Sequence, residues 1–204
     1  MPQYFDNVDL KSEIKEYSTD ILDVKLKFKT DNGVFSKDKL DFGTRTLLES
    51  LPLDELNGNV LDIGCGYGPI GIYLKKATSC NVDMCDVNKR AIHLANMNAK
   101  LNNVDVNIFE SDVYSNINKK YNFIVTNPPI RVGKEILYSI VMGAKDYLLD
   151  NGEMFLVIHK DQGAKSMLFD LQKVYNAEVI KKNKGFFIIR CKFRWLVSKF
   201  VLII

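Results

Sequence analysis

From Asn59 onward the chain alternates short apolar runs with amphipathic stretches. Val60-Leu61-Asp62-Ile63 is apolar at consecutive positions, the pattern of a strand buried on both faces. A glycine-rich turn, Gly64 to Pro69, leads into a helix over Ile70 to Ala77. Asn81 to Asp86 is a second strand, and Lys89 to Leu101 a helix with Ala91, Leu94, Ala95 and Asn98 on one face. Strands follow at Val106 to Phe109, Tyr121 to Thr126 and Glu153 to Ile158, the last two separated by a helix over Glu135 to Leu149. A helix over Met167 to Val174 precedes a hairpin, Ala177 to Ile180 and Phe186 to Cys191, around Asn183-Lys184-Gly185. Alternating strands and helices predict an α/β fold, a parallel sheet with helices on both faces and an antiparallel pair at its end. Upstream, Val24, Leu26 and Phe28 alternate with Lys25, Lys27 and Lys29, a half-buried strand with a lysine face. Asp31-Asn32-Gly33 is a turn, and Thr44 to Leu51 a helix stopped by Pro52. The expected division is an N-terminal extension (1–58), a core (59–192) and an apolar tail (193–204).

The polar residues that interrupt this pattern sit at strand ends: Asp62, Asp86, Asp112 and Asn127. Sheets of this kind bind ligands at the carboxyl ends of their strands. Each acid taken singly is equally a helix cap or turn residue; four consecutive strand ends favour a ligand.

A length of 204 residues suits one domain, and 47% apolar content supplies a large core. No apolar run approaches the ~20 residues of a membrane helix, and the polar, acidic start reads as no signal peptide. Cys65, Cys80, Cys85 and Cys191 form no C-x-x-C pair and there are two histidines, which argues against a metal and for a reducing cytoplasm. Charge is uneven: residues 151–204 carry ten Lys/Arg against four Asp/Glu, a net of +6, and the remainder 18 against 21, a net of −3. A basic end fits a nucleic-acid partner, although a solvated lysine surface explains it equally.

Gly66, Gly68 and Gly71 spell G-x-G-x-x-G, with Asp86 20 residues after Gly66. That pattern permits a dinucleotide site. The carboxylate of Asp62 beside the turn would repel a pyrophosphate but suits a ligand with an amine and a sulfonium, such as S-adenosylmethionine. Gly64, Gly66 and Gly68 then let the backbone approach the methionine part. Asp86 accepts from the ribose hydroxyls, and Asp112 from the adenine amine. Cys65, Val87 and Val113, flanking these positions, together with Asn127 complete the expected cofactor set.

In combination, "LDIGCGYGPIG", "DVN", "SDVY" and "TNPPI" resemble class I S-adenosylmethionine-dependent methyltransferases, more narrowly the methyltransferase small-domain family that includes small-subunit ribosomal RNA guanine-N2 methyltransferases. "DNGVFSKDKLDFGTRTLL" is similar to that family's lead-in, "NPPIRVGKE" to its catalytic loop and "KKNKGFFIIR" to its terminal hairpin. The resemblance implies a Rossmann-like, seven-stranded, mostly parallel sheet with a C-terminal antiparallel hairpin and a small N-terminal strand and helix. It implies methyl transfer to an exocyclic base amine, first of all guanine N2 in 16S-type ribosomal RNA.

The chemistry is an in-line displacement: nitrogen gains the methyl group, sulfur keeps the S–C electron pair, and the amine proton leaves afterwards. Acceptors on the two N–H bonds pull the amine toward a tetrahedral shape and free its lone pair. The Asn127 carboxamide oxygen is one acceptor and the Pro128 carbonyl the second, held rigid by Pro128 and Pro129. Seen alone, Asn-Pro-Pro is also a plain strand-ending turn. Ile130 stands where many amino-methyltransferases carry an aromatic residue, so Phe35 or Tyr67 is the candidate to stack on the base. Arg131 and Lys134 are candidates for phosphate contact, and equally a solvated helix start.

Adenine N6 or a protein Gln/Asn amide remains open as substrate, as do an NAD-dependent oxidoreductase and a non-catalytic cofactor-binding module. Expected partners are ribosomal RNA or the small subunit, with no membrane, and a monomer or homodimer. The tail "RWLVSKFVLII" is open to packing on the domain, a dimer interface or an altered reading frame.

Overall fold

The computed structural model describes residues 11–193 except 37 and 130–132. The expectations for Ile130, Arg131 and the tail fall outside the described residues. An antiparallel hairpin of β1 (Lys15–Ile21) and β2 (Val24–Thr30) comes first. It is followed by α1 (Phe42–Leu48), β3 (Asn59–Ile63), α2 (Pro69–Ala77), β4 (Asn81–Asp86), α3 (Lys89–Leu101) and β5 (Asn107–Glu110). The second half holds β6 (Tyr121–Thr126), α4 (Lys134–Tyr147), β7 (Leu148–His159), α5 (Ala164–Leu171), β8 (Asn176–Asn183) and β9 (Phe186–Lys192).

Seven strands form one sheet in the order β5-β4-β3-β6-β7-β9-β8. The first five are parallel, and β9 and β8 are added antiparallel beyond β7. This is the mixed, Rossmann-like sheet that the sequence implies. Consecutive residues of the apolar runs face opposite sides of it. Val60, Phe123, Phe155 and Ile188 pack with the hairpin, α1, α2 and α3. Their neighbours Leu61, Ile124, Leu156 and Ile189 pack with α4 and α5. The chain crosses from one half of the sheet to the other between β5 and β6, so β3 and β6 are the neighbours whose carboxyl ends open a crevice.

Several element boundaries differ from expectation; the helix expected at Met167 to Val174, for one, is α5 at Ala164–Leu171. The extension contains β1 as well as β2. The stretch KEYSTDI buries only Ile21 fully, so its polar character hid the strand, while Tyr17 opposite Phe28 and Thr19 opposite Leu26 supply the pairing. Helix α1 begins two residues early, at Phe42, because Asp41 caps it, and ends at Leu48. Helix α4 stops at Tyr147 and β7 starts directly at Leu148, carrying an irregularity through Asn151 at φ 62° and Gly152. A Cβ at Gly152 would lie 2.8 Å from the Leu149 carbonyl and 3.1 Å from those of Asn122 and Tyr121, so only glycine fits.

The hairpin reaches the core through two asparagines four residues apart, Asn98 on α3 and Asn102 at its C-terminal cap. Asn98, fully buried, accepts from the Lys29 N–H at 2.7 Å and donates to the Lys29 carbonyl at 2.8 Å. Asn102 does the same for Lys27, at 3.0 and 2.7 Å. The side-chain amides thus occupy the free edge of β2 as another strand would. Asn98 also donates to the Tyr67 carbonyl at 2.8 Å, tying the hairpin to the glycine turn. Asn98→Ala strands these three backbone groups and is expected to cost roughly 3 kcal/mol in denaturant unfolding. Asn96→Ala, on the exposed side of the same helix, is expected to stay within about 0.5 kcal/mol of the parent.

Candidate active site

A cavity opens at the carboxyl ends of β3, β4 and β6 and the loop after β5. It brings together Gly64, Cys65, Gly66, Asp86, Val87, Asp112, Val113, Asn127 and Pro129 from the expected set, with Phe35 and Tyr67. Its floor is the glycine turn. Gly64, Gly66 and Gly68 hold φ values of +73°, +56° and +98°, the region that only glycine enters without strain. A Cβ at Gly66 would meet no atom within 4 Å, and one at Gly64 only the Pro129 Cδ at 3.8 Å. The backbone therefore presents itself directly to the cavity. Gly71 serves packing: a Cβ there would lie 2.5 Å from Met84, so glycine lets α2 settle onto the sheet.

Asp86 closes the turn. Its Oδ2 accepts from the Gly66 N–H at 2.8 Å and its Oδ1 from the Asn88 N–H at 2.9 Å. Burial pushes its carboxyl above the ordinary value, against the pull of the Asn88, Gly66 and Val87 amides. A carboxylate has about four lone-pair sites, which leaves capacity for ligand hydroxyls. Asp62 sits deeper than its strand-end position suggests. It is fully buried behind the turn and does not line the cavity; its Oδ2 accepts from the Gly71 N–H at 2.8 Å. Its Oδ1 has no hydrogen-bond partner among the described residues. Desolvation, with the nearby Asp86 charge and against the Gly71 N–H, pushes its carboxyl up to about 7.

Asp112 is exposed on the rim. Val113 beside it has φ +48°, rare for a β-branched residue, and the Ser111 hydroxyl donates to its carbonyl at 3.0 Å.

The Asn-Pro-Pro loop enters from β6. The Thr126 hydroxyl donates to the Ile63 carbonyl at 2.8 Å, so the loop starts beside the glycine turn. The Asn127 Nδ2 donates to the Thr44 Oγ1 at 2.8 Å and to the Asp41 Oδ2 at 3.2 Å, while Pro128 is buried. Gly68 is the N-cap of α2, not part of the cavity wall. The two aromatic candidates separate. Tyr67 is 3% exposed; its hydroxyl lies 2.7 Å from that of Tyr17 and its ring is edge-on to Phe28 at 5.6 Å. The hairpin, of which the sequence pattern shows one strand only, encloses the ring, so Tyr67 is the less open of the two aromatic candidates. Phe35 lines the cavity at 49% exposure. Lys134 lies exposed at the start of α4, its Nζ 5.0 Å above the Tyr138 ring.

The model of the Methyltransferase small domain family matches residues 25–190. The chain belongs to that family. It is 39% identical over 194 residues to the uncharacterized protein YbxB of Bacillus subtilis, covering 93% of this chain and 96% of that one. It is 33% identical over 183 residues to the ribosomal RNA small subunit methyltransferase C of Psychromonas ingrahamii, covering 87% of this chain and 52% of the relative. Among solved structures, the T. thermophilus 16S rRNA N2 methyltransferase (RsmC) in complex with AdoMet and guanosine superposes with a TM-score of 0.81 at 25% identity. That match covers 91% of this chain and 52% of the other. The chain thus spans about half the length of the ribosomal RNA methyltransferases it matches.

The protein is an S-adenosylmethionine-dependent methyltransferase, and its G-x-G-x-x-G run is this family's glycine turn, not an NAD fingerprint. The cavity fits the cofactor on its own terms: an open glycine floor, an unpartnered buried carboxylate oxygen behind it and apolar walls from Ile136 and Ile140. The sequence pattern does not single out Thr44, which lines the cavity, or Asp41 beside it. Their signal is local: Asp41 followed three residues later by Thr44 is an N-cap pattern. Tyr67→Phe removes the Tyr17–Tyr67 hydroxyl pair and is expected to lower stability by about 1 kcal/mol in urea unfolding, with Phe35→Ala showing no such loss.

Proposed function

We propose that this chain methylates the N2 amine of guanine in small-subunit ribosomal RNA. One observation carries the reading. The Asn127 carboxamide is tethered through its nitrogen, and among the described residues its Oδ1 accepts no hydrogen bond. An oxygen so presented at the cavity wall is an acceptor for an amine N–H. The Pro128 carbonyl is the second acceptor, and the two prolines remove the freedom that would otherwise have to be lost on the way to the transition state. Bound S-adenosylmethionine supplies an electrophilic methyl group. Gly64, Cys65 and Gly66 hold its methionine part, Asp86 and Val87 its ribose, and Asp112 and Val113 its adenine. Asp62 acts through the field at the back of the turn and not by contact.

Guanine is favoured over adenine or a protein amide because ribosomal RNA methyltransferases are among the relatives that cover most of this chain, one of them bound to guanosine. A basic, aromatic rim adjoins the loop. The Lys184 Nζ lies 4.9 Å above the Phe42 ring, and Phe42 packs on Phe186 at 5.8 Å. Lys160 and Lys182 are exposed near the same end of the sheet. Such cations grip phosphates flanking a target base, and Phe35 stacks on the base itself. A ribosomal substrate implies work in the cytoplasm.

Transfer of tritium from labelled S-adenosylmethionine onto small ribosomal subunits from a strain lacking the gene is expected to label one guanine, located by nuclease mapping. Label on adenine, or only on protein, overturns the guanine assignment. Asn127→Ala is expected to slow transfer by about 10²- to 10³-fold with cofactor affinity retained; an unchanged rate refutes the loop's role. Cofactor affinity is also expected to depend on pH. The ligand carries net positive charge and favours ionised Asp62, whose carboxyl titrates at about 7 in the free protein. Binding below that pH must expel a proton, so the dissociation constant rises several-fold, at most about tenfold per pH unit, as pH falls from about 8 to about 6. Calorimetry should show this, and Asp62→Asn should flatten the profile.

A further inference from the structure

We propose that Asp41 and Thr44 are positioning residues that set the orientation of the Asn127 carboxamide; this rests on the catalytic reading of Asn127 above. Asp41 is the N-cap of α1, and its Oδ2 accepts from the Thr44 N–H at 2.8 Å. A cap needs nothing more. Here the same oxygen also takes the Thr44 hydroxyl at 3.3 Å and the Asn127 Nδ2 at 3.2 Å, and the Thr44 Oγ1 accepts from that Nδ2 at 2.8 Å.

The chemistry of these groups leaves one arrangement. An ionised carboxylate only accepts, so the Thr44 hydroxyl proton points to Asp41 and its lone pairs face Asn127. The atom of Asn127 that meets both must be the donor. A flipped carboxamide would set its oxygen against a carboxylate oxygen and a hydroxyl lone pair, losing two hydrogen bonds and gaining repulsion. The Asn127 Oδ1 is therefore directed away from Asp41 by charge. Donation from the amide N–H toward a carboxylate also enriches the carbonyl oxygen and makes it a stronger acceptor for a substrate amine.

The anchor itself is rigid. Gly43 lies so close to β9 that a Cβ there would sit 2.7 Å from the Phe186 ring. The Arg45 guanidinium donates to the Asp20 carbonyl at 2.8 Å and to the Thr19 hydroxyl at 2.6 Å. Leu47 and Leu48 are fully buried. Thus "DFGT" reads as one device: cap, packing, clearance and tether.

Three variants test this in the tritium assay on small ribosomal subunits: Thr44→Val, Thr44→Ser and Asp41→Asn. Asn caps a helix as well as Asp, so Asp41→Asn keeps α1. Thr44→Val is expected to lower kcat about 10- to 100-fold, with KM, cofactor affinity and Tm near the parent values; Asp41→Asn, which keeps the accepting oxygen and removes only its charge, is expected to lower kcat by a smaller factor of about 2 to 10. Thr44→Ser is expected to restore turnover. In an Asn127→Ala background Thr44→Val is expected to add no further loss, since it acts through Asn127. A second readout needs no substrate: the Asn127 side-chain amide protons, followed by NMR on 15N-labelled protein, should exchange slowly in the parent and rapidly in Thr44→Val. Loss of transfer in Asn127→Ala together with parental kcat in Thr44→Val overturns the positioning role, as does rapid exchange of these protons in the parent; parental kcat in Asp41→Asn overturns the part assigned to the Asp41 charge. Parental transfer in Asn127→Ala instead refutes the catalytic reading of that residue, and the exchange rates then decide the tether alone.

Discussion

The Thr126 hydroxyl donates to the Ile63 carbonyl at 2.8 Å at the one place where parallel neighbours in this sheet are not sequential. Both residues are buried, so neither group has water as a ready alternative partner. The bond joins the last residue of β6 to the last of β3 and sets the distance between the loops that leave the two strands. The glycine turn leaves β3, and the Asn-Pro-Pro loop leaves β6. The Pro129 Cδ lying 3.8 Å from where a Gly64 Cβ would stand is the direct result. A cofactor cradle and the proposed pair of amine acceptors thus share one cavity because two strand ends share one hydrogen bond.

Around that junction, polar groups act in layers. Asp86 uses part of its acceptor capacity to close the turn and keeps the rest at the cavity. Asp62 is removed from the cavity altogether, and its charge is costly there: burial is the main cause that brings its titration near neutrality. Retaining a carboxylate in that place makes physical sense where a bound cation offsets the cost. Asp41 is the third acid, and it acts on Asn127 from outside the sheet.

The central sheet, its helices and its crevice were legible because buried parallel strands leave consecutive apolar residues, and glycine, proline and strand-end acids punctuate them. Strand β1 was not legible, since it is solvated along most of its length and its apolar partners lie on β2. The same gap hid the packing of Tyr67: without Tyr17 opposite Phe28, nothing in "GYG" says that the ring is enclosed. Asp62 was placed at the right strand end but one layer too shallow, because position along a strand does not reveal depth behind a turn. The helix expected from the sequence starts at Thr44, without Asp41 as its cap; their contact with Asn127 joins segments far apart in the chain, and no local pattern encodes it. Asn98 was seen on the inward face of α3; that an amide there would pair with a strand edge is apparent only from the docking of the hairpin.

The clearance at Gly43 carries a last consequence. Phe186 belongs to β9, near the far end of the described chain, yet its ring rests on the helix start that tethers Asn127. As the polypeptide emerges during translation, the cofactor half, β3 to β5, exists well before the seat of that helix is complete. A nascent chain therefore carries the segments of the glycine turn before the ring that seats the Asn127 tether has been synthesised, and that helix start finds its seat only once the closing strand is laid down.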